Sequence, residues 1–472
     1  MVFSSLFFLC VFLPVTLILY FAVNNRNVRN WILIAASVFF YAWGEPVWVT
    51  VLLFSTFLDY YCALQAEKNR GDWRGKAAVA FAVTANLFIL GFFKYSGFIA
   101  DNINALLGTS IRVPGLNLPI GISFYTFQLI SYVVDVYRGE SEAQKSPFKL
   151  LLYISLFPQL VAGPIVRYQD IAWEIENRTA TVKGFNNGVN RFIIGLGKKV
   201  IIANTAGEIA GNFLNTDYSR LPVLGAWFGI AMFALQIYFD FSGYSDMAIG
   251  LGKMFGFTYK ENFNYPYISK SATEFWRRWH ISLGTFFRDY VYIPLGGNRK
   301  HQTRNLFFVW FLTGLWHGAS WNFIIWGLFY FVLIFLEKKV LLDLFNKLPV
   351  VFSRIYLLLA VLVGWVFFYH TDLGQAFRFL GIMFGINAAS WSNGELYIHF
   401  TNNATFFAIA VIASTPLAKK LYESMNKRLK ENLTGMCILD GVLKSAVNIL
   451  ILVVSIIFLV GQSYNPFLYF RF

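Results

Sequence analysis

An all-α, polytopic membrane fold is what this chain predicts, and three observations carry it. Its 472 residues are 57% hydrophobic and only 14% charged, against roughly 25% charged in soluble domains. Apolar runs that approach or reach membrane-spanning length recur from one end to the other. The basic residues gather in short connections: Arg26 and Arg29; Lys68, Arg70, Arg74 and Lys76; Lys338 and Lys339; Lys419, Lys420, Lys427, Arg428 and Lys430. That is the positive-inside pattern. It accounts for a net charge of +14 without a basic face on a soluble domain, so no nucleic-acid partner is expected.

The first run, residues 4–23, has no basic stretch before it and no small-residue cleavage site after it. It reads as a retained span rather than a signal peptide, and the basic residues behind it place the N-terminus on the periplasmic or external side. Runs 31–43, 47–66, 77–95 and 119–137 continue the series. Segment 149–168 departs from it, because Pro158, Gly163 and Pro164 would break a helix. Broken backbone at membrane depth is tolerated only within protein or beside a water-filled cavity. Run 223–239 follows, then 271–294, whose interleaved charges are too polar for a lipid-facing span. Both interrupted segments are expected as short or re-entrant helices inside the body. Runs 306–315, Trp321–Leu336, 355–368, 406–417 and 446–460 complete the set. The longest polar connection is 371–403, with one short helix around 376–384. No repeat or soluble-domain boundary is visible, so one domain over 1–472 is expected, with roughly ten to twelve membrane segments.

Three cysteines are too few for a disulfide scaffold or a thiolate metal site; Cys10, Cys62 and Cys437 read as packing residues. Soluble-enzyme motifs are missing too. Gly250 and Gly252 open a GxG, but Phe255 stands where the third glycine belongs, and GISFY at 121–125 lacks the last glycine of a nucleophile elbow. Phe192 replaces the first glycine of a Walker motif before Gly197-Lys198-Lys199.

The chemistry concentrates in 271–297, SATEFWRRWHISLGTFFRDYVYIPLGG, which packs Glu274, Arg277, Arg278, His280, Arg288 and Asp289 into an apolar protein. Ionisable groups in such surroundings usually line a cavity or do chemistry. His280 is expected on a short helix, with Trp276 and Arg277 on its face and Arg278 elsewhere. Its ring either bonds a neighbouring carbonyl while the arginines meet lipid headgroups, or belongs to a reactive cluster. His317, in TGLWHGASWN, is the sharper case. Its apolar and small neighbours favour a neutral imidazole that can accept a proton, and Gly314 and Gly318 would let a substrate approach closely; a buried structural histidine is the alternative. With no HxxxH or HExxH, no metal site is expected. In ALQIYFDFSGYSDM, Gln236, Asp240 and Asp246 sit in an apolar run. Asp240 is expected to pair with Arg277, Arg278 or Arg288, or to line the route to the histidines. His301 is expected to be solvated, and His370 and His399 receive no role.

QIYFDFSGYSDMAIGLGKMFGF, NFNYPYISKSATEFWRRWHISLGTFFRDYVYIPLGGNR and FLTGLWHGASWNFIIWG together resemble the membrane-bound O-acyltransferase family. The resemblance is to its bacterial branch, which acetylates alginate and peptidoglycan and D-alanylates teichoic acid. MVFSSLFFLCVFLPV, PIGISFYTFQLISYVVDVYRG, FPQLVAGPIVRY and the closing NPFLYFRF extend it over essentially the whole chain, with a motif core at about 118–335. The resemblance implies a ring of helices around a thin centre with a funnel on each side, and it places the catalytic histidine at His317. His280 is the second histidine associated with activity, and Arg277, Arg278, Trp276, Trp316, Asn322 and Asp240 are candidate donor- or substrate-binding residues. It implies an O-acetyltransferase of the bacterial inner membrane that binds no cofactor and uses acetyl-CoA as donor. The acceptor is an exported polysaccharide such as alginate. A separate periplasmic or extracellular SGNH-type acetyltransferase partner is implied, since the sequence shows no such soluble domain. Two alternatives stay open: D-alanyl transfer from a carrier protein to teichoic acid, and a proton-coupled solute transporter using the histidines as a relay, although the matched halves typical of transporters are not visible.

Overall fold

The structure, a computed structural model, describes residues 1–461 and Leu468, apart from Leu116, Ala162 and 431–435. The rest of the closing NPFLYFRF segment and the side chains of Lys427, Arg428, Lys430 and Cys437 lie outside the described residues. Among the described residues every regular element is helical.

Among the described residues, six helices are long and apolar enough to cross a membrane: Val49–Lys68, Trp73–Leu107, Val223–Met254, Val350–Tyr369, Gly394–Ala413 and Gly441–Gly461. Phe8–Ala22 is a shorter apolar helix. The chain is a multi-pass membrane protein, but fewer of its runs than the expected ten to twelve form helices of crossing length. Ile122–Arg138 and Gln302–His317 stop at 17 and 16 residues, short of the ~20 that a span needs, whereas Trp321–Leu336 runs on through a π-helical turn, Glu337–Leu341, into Leu342–Asn346. Other boundaries moved as well. The run at 223–239 continues to Met254, so the whole ALQIYFDFSGYSDM sequence is helical. The polar connection after Thr371 is shorter than expected, because GELYIHFTNN forms the first half of Gly394–Ala413, capped by Asn393.

Residues divide into two interleaved units. The first holds 1–192, 245–261 and 288–290. Ile122–Arg138 is buried along nearly its whole length there, which explains why its sequence reads as apolar on every side. A cluster of Phe8, Phe12, Phe40, Phe157 and Phe255 fills its interior, with ring centroids 5.3–6.3 Å apart. The interruption expected in 149–168 is present: Pro147–Ser155 ends at Leu156, which turns to ψ 110°, and only the single turn Phe157–Leu160 follows. Several charged residues here form ion pairs. Arg191 bridges Asp246 and Glu261, both at 2.6 Å, and Arg167 meets Asp289 at 2.5 Å. Cys62 is buried as a packing residue would be, whereas Cys10 faces outward.

The second unit holds 193–244, 262–287 and 291 onward. Its core is aromatic, built from Phe275, Trp279, Trp310, Trp326, Tyr330, Trp365 and Phe368 among others. Gln302–His317 and Trp321–Leu336 lie against each other along most of their length, and their close approach needs glycine. A Cβ at Gly314 would stand 2.4 Å from the Phe323 carbonyl oxygen, one at Gly327 2.3 Å from that of Trp310, and one at Gly318 2.3 Å from the Phe323 ring. The glycines read from sequence as room for a substrate therefore serve helix packing, with Phe323 filling the space beside Gly314 and Gly318.

Candidate functional site

The site is built in the second unit from two interruptions of helical backbone. At the first, Ser271 caps Ala272–Arg278 by accepting from the Glu274 N–H at 3.1 Å, while the Glu274 carboxylate accepts from the Lys270 N–H at 2.9 Å. The helix gets a second cap from a distant residue. Glu337, fully buried, accepts from the backbone N–H of Ala272 at 2.5 Å and from both the N–H and hydroxyl of Thr273. The carboxylate thus meets the positive end of the helix.

The helix stops before His280, which corrects the expectation of one helical face shared by Trp276, Arg277 and His280. Trp279 is extended and His280 takes φ 44°, a left-handed conformation uncommon outside glycine. The strand-like neighbour 262–264 takes over the backbone bonds: Asn264 N–H to the Arg278 carbonyl and Ile281 N–H to the Asn262 carbonyl, both 2.9 Å. Asn262 Oδ1 accepts from the Ser282 N–H and hydroxyl at 3.1 and 2.9 Å, and those donors fix which amide atom faces them. The same oxygen lies 3.4 Å from His280 Nδ1. Because that oxygen can only accept, the proton belongs on Nδ1 and the lone pair on Nε2. His280 is 1% exposed, outside the spanning helices, and burial pushes its imidazole down to about 3.

The second interruption follows His317, where Gln302–His317 ends and Gly318 goes extended before Trp321–Leu336 begins. His317 is 5% exposed. Its ring contacts Trp316, Trp326 and Phe368 at centroid distances of 5.0, 4.9 and 5.1 Å. Trp316 also meets His280 edge-on at 5.9 Å, so one indole links the two histidines. Trp276 packs away from His280, against Trp310, Trp326 and Tyr330. Asn322 is buried and donates to the Phe367 carbonyl at 3.0 Å.

The structure therefore gathers His280, Trp316, His317, Trp276 and Asn322 around one aromatic centre, while Asp240 and Arg278 are held by other partners. Asp240 pairs with Lys199 at 2.7 Å, both 2% exposed, and accepts from the Leu468 N–H at 2.8 Å. It pairs with none of the three arginines named from the sequence, because Lys199 comes from the preceding helical segment of the same unit. Arg278 is held by Glu274 at 2.8 Å. Arg277 is exposed, with no ion pair among the described residues. His301 is exposed as expected, while His370 is buried against Tyr218. Sequence reasoning passed over Lys199 and Glu337. Each was signalled by a charge set directly against an apolar run.

Comparison with known proteins gives this helical membrane body, which carries two buried histidines on one indole, its class, a membrane acyltransferase. Residues 141–373 match the membrane-bound O-acyltransferase family model. The probable alginate O-acetylase AlgI of Pseudomonas putida is 41% identical over the full length of both chains, and that of Azotobacter vinelandii 42% over 84% of this chain and 80% of its own. The peptidoglycan O-acetyltransferase of Helicobacter pylori is 31% identical over 100% of this chain and 98% of its own. This chain belongs to the membrane-bound O-acyltransferase family.

Proposed function

We propose that this acyltransferase moves acetyl groups from cytosolic acetyl-CoA across the bacterial inner membrane for O-acetylation of an exported polysaccharide, alginate or one like it. The observation that carries this is the His317 ring, buried among Trp316, Trp326 and Phe368 at the end of a broken helix. A neutral imidazole there acts as general base. It takes the proton from an acceptor hydroxyl as that oxygen attacks the acetyl carbon; the carbon–sulfur bond breaks, and the thiolate leaves with the proton from the imidazolium. General-base assistance is worth roughly 10²–10⁴-fold, and confinement of both reactants adds proximity. His280, held neutral, orders the centre through Trp316. Arg277 attracts the anionic end of the donor; Arg278, already paired with Glu274, is the weaker candidate.

Acetyl transfer is favoured over D-alanyl transfer because relatives named for O-acetylation align end to end. The teichoic acid D-alanyltransferase of Bacillus subtilis aligns over 46% of this chain. A periplasmic or extracellular SGNH-type acetyltransferase completes delivery to the polymer.

The test is transfer from labelled acetyl-CoA in membranes with that partner present, comparing wild type with His317→Ala at matched expression. Loss of transfer in a folded variant supports the assignment. Full activity in the variant overturns the site, and no transfer by wild type overturns the donor.

A further inference from the structure

Arg29 is pinned from behind. Its Nε donates to the Val23 carbonyl at 2.6 Å and to the Tyr20 carbonyl at 3.1 Å. Its guanidinium lies over the Tyr20 and Phe21 rings, 5.0 and 5.8 Å from their centroids. The two outer nitrogens have no acceptor and no ion pair among the described residues, and the side chain is only half-buried. A guanidinium fixed by its inner edge, with its outer fork open, is pre-organised for bidentate contact with an anion.

A second guanidinium stands on the same phenol. Arg178 Nε donates to the Tyr20 hydroxyl at 3.1 Å, and its guanidinium lies 5.8 Å from the Tyr20 centroid and 4.6 Å from that of Phe257. Arg178 is 6% exposed; Nη1 reaches the Ile175 carbonyl at 3.4 Å, and Nη2 is buried with no partner among the described residues. Glu174 acts on Arg178 without forming an ion pair, and it accepts from the Thr258 N–H at 3.0 Å. Buried charges are normally paired. Here two like charges are close enough to oppose each other, and neither carries a carboxylate. Arg29 also belongs to the first turn of Arg26–Ala42, which holds Arg26 and no acidic residue, at the helix end that favours anions. This local excess of positive charge calls for an anion that the chain does not supply. The anion meets Arg29, and Arg178, too deep for contact, adds its charge through a medium of low dielectric.

The surroundings say what carries the anion. Phe21 and Trp31, 39% and 51% exposed, flank Arg29 along the chain. Exposed aromatic rings beside basic residues mark the headgroup level of a membrane, where an anion arrives attached to acyl chains. We infer that Arg29, backed by Arg178, binds the phosphate of an anionic phospholipid on the side of the membrane where the basic connections gather. Every residue of this site lies in the first unit, and the inference stands independently of the acyl-transfer reading.

The experiment measures equilibrium binding of acyl-chain-labelled phosphatidylglycerol to the purified full chain in neutral detergent. The competitors are unlabelled phosphatidylglycerol, phosphatidylcholine and inorganic phosphate. Phosphatidylglycerol should compete about tenfold better than phosphatidylcholine, whose choline cancels the phosphate charge. Arg29→Gln should weaken phosphatidylglycerol about tenfold. Arg29→Lys should weaken it by less, because the charge stays and the fork goes. Arg74→Gln, in another basic connection, should change nothing. No preference in wild type, no loss in Arg29→Gln, or an equal loss in Arg74→Gln overturns the inference. Inorganic phosphate competing as well as phosphatidylglycerol would show a site for free anions rather than lipid, and overturns it too. Melting curves confirm folding; where Arg29→Gln does not fold, the wild-type preference and the loss in Arg29→Lys decide.

Discussion

The backbone N–H of Ala272 points at the carboxylate of Glu337, 2.5 Å away and 65 residues on in sequence. This one contact ties the Trp-Arg-Arg-Trp helix to the end of Trp321–Leu336, and so relates Trp276 to Trp326 and His317. Glu337→Ala should lower unfolding stability by about 2 kcal/mol through loss of cap and charge–dipole interactions. It should also depress acyl transfer beyond what the stability loss explains. Glu337→Gln, which keeps one acceptor, should recover part of both. Thermal unfolding and transfer rates measured on the same preparations check this.

The Lys199–Asp240 pair is more deeply buried than any other ion pair named above. Removing one partner strands a charge, so Lys199→Met or Asp240→Leu alone should cost roughly 3–5 kcal/mol. The double variant replaces both charges with apolar groups and should recover most of that. A double-mutant cycle by thermal unfolding in detergent decides it. Near-additive losses would mean that the two residues act independently.

Much of this architecture was legible in the sequence because apolar runs and helix breakers act locally. Pro158 and the residues around it interrupt the backbone where they stand. Both histidines were legible because an ionisable group in an apolar run is conspicuous. Partner choice was not legible. Asp240 has three arginines downstream that would serve it equally well on paper, and only packing of the second unit brings it Lys199 instead. The left-handed turn at His280 was equally hidden, since it depends on backbone bonds to Asn262 and Asn264. Those bonds come from a segment with no periodic signal. Gly314 and Gly318 were misread for the same reason, because a glycine looks alike in sequence whether a ligand or a neighbouring helix fills its space.

His280 carries a pH signature whose sign can be worked out. The unfolded imidazole titrates near 6.5 and the buried one near 3. Between those values the unfolded state binds more protons, so stability is fully present above about 6.5 and is lost as pH falls toward 3. His280→Asn tolerates the positive φ and removes the titration, so its stability should depend less on pH across that window. Unfolding midpoints of wild type and variant from pH 7 to pH 4 provide the comparison. Parallel curves would show that His280 is not the titrating group.

Gly314 offers a contrast within one residue type. A methyl group there would press against the Phe323 carbonyl oxygen at 2.4 Å and the Ile324 Cα at 3.3 Å, both backbone atoms that cannot swing aside. Gly91, in Trp73–Leu107, has nothing within 4 Å of the same added atom. Gly91→Ala should therefore be neutral or slightly stabilising, since alanine favours helix by ~1 kcal/mol. Gly314→Ala must push Gln302–His317 away from Trp321–Leu336, and overpacking of this kind costs about 1–3 kcal/mol. His317 ends the displaced helix, three residues beyond Gly314. A shift of about 1 Å in a reacting group can cost on the order of a hundredfold in rate, so transfer should fall far more than stability. Equal behaviour of the two alanine variants in unfolding and transfer assays would show that the helix pair is not held at the separation on which His317 depends.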